Sequence, residues 1–172
     1  MARNATPCAD SGDPAPSNLL WIDRRVVFVD FEYAANRHAL FDLAQWYMRC
    51  PLPSAWFAAL ADGVAHRLVS RGMFASRARF DAALQRMCQH AGLYMLTWLP
   101  IAAALERDRP WVADWTVRRA TLSSLLRLAA VTPPNSALRD ASTSLHRALS
   151  SRWGDSGDCN IDWAGMIQSS RR

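Results

Sequence analysis

Ser11-Gly12-Asp13-Pro14-Ala15-Pro16-Ser17-Asn18-Leu19-Leu20, then Asp30-Phe31-Glu32-Tyr33-Ala34, then Phe41-Asp42-Leu43-Ala44, is the stretch whose reading decides the fold. Between its first two pieces lie two short β-type runs, Leu19-Leu20-Trp21-Ile22 and Val26-Val27-Phe28-Val29. Asp23-Arg24-Arg25 separates them, a connection suited to a tight hairpin. A hairpin over 19–31 puts Asn18 at the start of one strand and Asp30 at the end of its partner, at the same end of the ladder.

Working outward, residues 1–17 are rich in Ala, Pro, Ser, Asn, Asp and Gly, the composition of a loop or loose terminus. From residue 39 the apolar period turns helical. Leu40, Leu43, Trp46 and Tyr47 share one face, and the segment stops before Pro51. Ser54 is expected to cap a second helix with Trp56, Leu60, Val64 and Leu68 inward, ending at Gly72. Ser76 or Arg77 opens a third helix through Phe80, Leu84, Met87 and Ala91, which Gly92 and Pro100 bend or split. Pro110 is expected to start another, with Val112, Trp115, Leu122, Leu126 and Ala129 inward. Pro133-Pro134-Asn135 breaks it, and Ser136 caps a last helix to about Arg152. Residues 153–172 read as a loosely held tail. The expected fold is mainly α: one short β-hairpin followed by four to six helices.

Asp13 and Asn18 form a D-x-x-x-x-N loop, and the strand after it ends in Asp30-Phe31. Phosphoryl transfer uses that set of groups: one carboxylate to take the proton of an attacking hydroxyl, an amide oxygen and a second carboxylate to hold magnesium. Magnesium takes hard oxygen ligands, commonly one or two carboxylates completed by phosphates and water. Taken singly, each element has a plainer reading. A D-x-x-x-x-N pair is a common Asx-capped turn, and Asp42 is a first-turn carboxylate favoured by the helix dipole.

In combination and in this order, these residues resemble the aminoglycoside phosphotransferase and choline kinase family, the small-molecule branch of the protein-kinase-like fold. That family carries a catalytic loop close to H-G-D-x-x-x-x-N, then I-D-F/W-E-x-A, then D-L-A. The resemblance runs from about Gly12 to about Arg109 and is strongest over 12–44. It implies Asp13 as catalytic base, Asn18 and Asp30 as magnesium ligands, and Asp42 as the brace of the catalytic loop. The cofactors implied are Mg2+ and ATP, with the γ-phosphate passing to a hydroxyl of a choline-, thiamine- or aminoglycoside-like acceptor. Asp30-Phe-Glu-Tyr-Ala looks closer to the choline, ethanolamine and thiamine kinase branches. Glu32 is a candidate substrate-shell residue, or equally a partner for Arg24 or Arg37. Trp98, Trp111 and Trp115 form a candidate cation–π box for a quaternary ammonium group, or are core aromatics at helical spacing.

The departures from the family pattern carry their own expectations. Ser11 stands where the family has its histidine, twelve residues precede Asp13, and the chain contains no lysine. Family members place a nucleotide-clamping N-terminal lobe and a strand lysine ahead of the catalytic loop. The chain thus resembles a C-terminal lobe alone, with 1–17 carrying the catalytic-loop remnant and 18–152 the lobe. It reads as a truncated product, a mis-assigned start or half of a split enzyme, and the isolated chain is expected to be inactive. Apolar surface at Leu19, Leu20, Trp21, Val27 and Phe28 is then expected to drive self-association or binding of a partner that replaces the absent lobe. The alternative function is a non-catalytic helical binding module that keeps the fold.

Composition narrows the remaining classes. The 172 residues are 51% hydrophobic and 20% charged, a globular balance. All basic residues are arginine, giving a net charge of +5, but they occur scattered or in pairs, so no nucleic-acid face is expected. The longest uncharged stretch, Met87–Leu105, includes Gln89, His90, Thr97 and Pro100 and reads as buried helices, not a membrane span. No apolar run occurs in the first twenty residues, so no secretory leader is expected. Cys8, Cys50, Cys88 and Cys159 have neither metal nor redox spacing, which fits a cytoplasmic chain. The four histidines lack metal-ligand spacing too.

Overall fold

A computed structural model describes residues 7–10, 18–23, 25–30, 34–50, 52–112 and 115–154. The chain is mainly helical. Its order is β1 (Pro7–Asp10), β2 (Leu19–Ile22), β3 (Arg25–Phe28), β4 (Ala35–His38), α1 (Phe41–Arg49), α2 (Ser54–Ser70), α3 (Arg77–Trp98), α4 (Ile101–Glu106), β5 (Pro110–Val112), β6 (Trp115–Thr116), α5 (Val117–Val131) and α6 (Ala137–Trp153). The strands pair as three antiparallel ladders, β1 with β4, β2 with β3 and β5 with β6.

The hairpin forms as its sequence dictates, but more tightly. Leu19 opposes Phe28 and Ile22 opposes Arg25, so the connection is two residues long and Arg25 belongs to the strand. Asp23 takes a positive φ of 48°, as the first central residue of a primed turn must. The strand β1 was not expected within the loop-like first 17 residues. Its partner β4 lies 25 residues on, pairing Pro7 with His38 and Asp10 with Ala35, so nothing local in the sequence announces it.

Helix starts follow side-chain chemistry. Ser76 Oγ accepts from the Arg79 amide, Thr116 Oγ1 from Arg119 and Ser136 Oγ from Arg139, each at 3.3 Å. Each bond satisfies an amide that has no partner within its own helix. The first residue of α2 is Ser54 itself, after Pro53, and no side chain caps that helix. Pro110 starts the short β5 instead of a helix, and α5 begins after the Thr116 cap. Gly154 closes α6 in the left-handed region at φ 68°.

Three helices, α1, α3 and α5, enclose the main core around Phe80, Leu40 and Leu128. Gly92 does not bend α3, which runs unbroken to Trp98. A Cβ there would stand 2.8 Å from Met48 Cε and 3.1 Å from Leu128 Cδ1, so glycine is what lets α1 and α5 close on α3. The residues buried in α2 are Ala61 and Ala65; Trp56 and Leu60 face solvent, contrary to the apolar stripe expected from their spacing. Val64 and Leu68, also expected inward, pack against the main core half-buried, together with Phe57 and Val69. Leu126, expected inward, is exposed as well. Among the described residues, no helix is long and apolar enough to cross a membrane.

Candidate functional site

The two strand ladders determine what the first quarter of the chain can do. In β1–β4, Asp10 lies opposite Ala35. Beside β2–β3, the amide of Val29 donates to the carbonyl of Asn18 at 2.9 Å. Segment 11–17 therefore leaves from Asp10 and returns at Asn18, while segment 30–34 leaves from Val29 and returns at Ala35. The two segments share both of their anchor points, each across one strand spacing of about 4.8 Å. Of the candidate residues, Asn18 and Asp30 stand at the β2–β3 anchor.

Asn18 is 9% exposed. A primary amide this deep is held by hydrogen bonds or it destabilises the fold. Asp30 is exposed and adopts φ 62°, a left-handed conformation that a non-glycine residue takes at a steric cost. Such outliers cluster where function dictates backbone geometry. Asp13 and Glu32 lie outside the described residues. Asp42 occupies the first turn of α1, half-buried, with Oδ1 shut off from solvent. The negative charge there opposes the positive end of the helix dipole. Among the described residues, no three His, Cys, Asp or Glu side chains gather into a metal-holding group. Asn18, buried, and Asp30, exposed, both stand at the open end of the β2–β3 hairpin.

The tryptophans separate. Trp115 is buried with Met95, Leu99, Ala104, Val117 and Ala120. Trp98 and Trp111 face solvent on α3 and β5. Among the described residues no ring contact joins any two of the three; Trp98 meets Tyr94 at 5.8 Å instead. Near Trp115 the cation over an aromatic face is internal, since the Arg118 guanidinium lies 5.5 Å from the Trp153 ring centre.

Two further features support the site, and the sequence did not single them out. His38 ends β4 and accepts the Leu40 amide on Nδ1 at 3.2 Å, tying the strand to the start of α1 four residues before Asp42. Burial, and secondly the Arg86 guanidinium, hold its imidazole below the usual histidine value, so the neutral acceptor form is favoured. Arg127 of α5 donates from Nη1 to the carbonyls of Tyr47 and Cys50, closing the far end of α1. The signal for His38 was present, a polar side chain two residues before a helical run. Arg127 had none, because its partners lie in a distant helix. Cys88 is no nucleophile: burial pushes its thiol up to about 12. No protein-family model and no curated protein matches the chain.

Proposed function

We propose that the chain is the catalytic-loop half of a small-molecule phosphotransferase of the aminoglycoside phosphotransferase and choline kinase type, moving the γ-phosphate of ATP to an alcohol hydroxyl. The observation that carries this reading is the shared anchoring of segments 11–17 and 30–34, by Asp10 against Ala35 and Asn18 against Val29. Phosphoryl transfer is mostly positioning and charge stabilisation, so its minimum is a base and two oxygen ligands, the roles this reading gives to Asp13, Asn18 and Asp30.

In this reading the Asp13 carboxylate accepts the proton of the acceptor hydroxyl as it attacks the phosphorus. Asn18 and Asp30 supply the amide and carboxylate oxygens for Mg2+, which when bound neutralises phosphate charge. Asp30 takes its left-handed backbone two residues beyond the end of β3. Asp42 holds the base of the loop from the first turn of α1. The acceptor is a choline-, thiamine- or aminoglycoside-like alcohol, with Glu32 and the exposed Trp111 as candidate contacts; the burial of Trp115 favours its role as a core aromatic, and Trp98 meets Tyr94 instead.

Electron paramagnetic resonance of Mn2+ with ADP tests the assignment. The chain is expected to bind Mn2+ in a nucleotide-dependent manner, with binding weakened about tenfold or more in Asp30→Asn, the loss of one charged ligand being worth over ~1.4 kcal/mol. Asp23→Asn, at the opposite end of the hairpin, serves as the control and leaves binding intact. Equal binding by all three chains contradicts the proposal.

A further inference from the structure

We propose that residues 155–172 lie over an aromatic stripe on α3 that the helical layers leave uncovered. One face of α3 is ordinary core, with Phe80, Leu84, Cys88, Ala91 and Met95 buried. The exposed face is polar through Arg86 but turns apolar in the last turns, where a solvated helix face should stay polar. Leu93, Tyr94 and Trp98 are 47%, 40% and 56% exposed. His90 stacks on Tyr94 at 6.4 Å, and Tyr94 meets Trp98 at 5.8 Å, so three rings at intervals of four residues run along the surface. A contiguous exposed apolar strip of this kind marks an interface.

Three observations name the occupant. The first is where the described chain ends. Trp153 packs against the cluster of Met95 and Leu99, and Gly154 then terminates α6, so the described chain ends beside the last turn of α3. The second is composition: Ile161, Trp163, Met166 and Ile167 put four large apolar side chains close together in a segment otherwise made of small and polar residues. The third is charge. Asp155, Asp158 and Asp162 are not joined by any basic residue before Arg171. On α3 itself the exposed charge in step with His90 is Arg86, of the other sign; the run from the end of α4, Glu106 to Arg109, alternates in sign. The contact needs neither nucleotide nor metal.

Hydroxyl-radical footprinting of Tyr94 and Trp98 decides it, in the full chain, in a chain ending at Gly154, and in the full chain carrying Trp163→Ser, Met166→Ser and Ile167→Ser together. Labelling of Tyr94 and Trp98 is expected to rise severalfold in both variants, with exposed Trp56 on α2 as an unchanged internal reference. Far-UV circular dichroism checks that the helices persist; where the shortened chain loses them, the triple variant alone decides. Equal labelling in all chains overturns the proposal. So does protection that survives both changes and fades on dilution, which would assign the stripe to a second copy.

Discussion

Between α1, α3 and α5 the chain is held by side chains: Phe80, Leu122, Leu125 and Leu128 are almost wholly buried, and Gly92 lets the helices close to contact. In β2–β3 it is held by backbone ladders, and Leu20, Ile22 and Val27 remain in solvent. A two-stranded ribbon is marginal by itself, whereas three packed helices bury enough apolar area to stand. Asn18 and Asp30, the ligands of the proposed site, flank the weaker region. Stability and the proposed chemistry are therefore separable, and substitutions in the two regions should have opposite profiles.

The largest expected effect sharpens that contrast. Phe80→Ala removes a wholly buried ring that meets Phe74 edge-on at 5.5 Å, and should cost about 3–5 kcal/mol in urea unfolding. Leu20→Ala on the hairpin should stay within about 0.5 kcal/mol, as surface changes do. Comparable losses would break the comparison. Next comes Gly92→Ala, where the new Cβ forces Met48 Cε and Leu128 Cδ1 aside. Overpacking of about 1–3 kcal/mol outweighs the ~1 kcal/mol helix-propensity gain at its upper end. Gly92→Ala with Met48→Ala should cost less than the sum of the two single changes, the coupling expected of touching residues.

Smaller effects test the element boundaries. Ser76→Ala should cost about 1 kcal/mol because its hydroxyl caps α3, while Ser54→Ala, inside α2, should change stability by a few tenths. The strand-to-helix junction adds a pH dependence. His38 is depressed by burial and Arg86, so above its unfolded value of 6.5 both states are neutral and its contribution is complete. As pH falls below 6.5 the unfolded state takes the proton first, and stability drops until the pH passes the lowered native value. Urea midpoints at pH 7.5 and 5.5 should show this fall, and it should shrink in His38→Asn, which retains an acceptor near Nδ1.

What the sequence made legible was what local chemistry dictates. Leu19–Ile22 as a strand, the hydroxyl caps of Ser76 and Ser136, and the helix stop at Pro133 each depend on neighbours within a few residues. β1 depends on β4, and the α2 orientation on α3, so their reading failed for want of a distant partner. The same holds for Pro110, whose strand exists because Thr116 lies opposite it. In the candidate site, Asn18 and Asp30 were legible as hairpin-end residues, because the alternation either side of Asp23 sets their register. Trp115 was ambiguous, since aromatic spacing alone does not distinguish a cage from a core.

The central claim is the proposed magnesium site, with Asn18 and Asp30 at the open end of β2–β3 as its ligands. Paramagnetic broadening of backbone amide resonances by Mn2+ with ADP tests it most directly. The account predicts strongest broadening at Asn18, Val29, Asp30 and Ala35, falling away along β2 towards Asp23 and negligible at Leu145 on α6. Broadening centred elsewhere, or spread evenly over the helices, would contradict it.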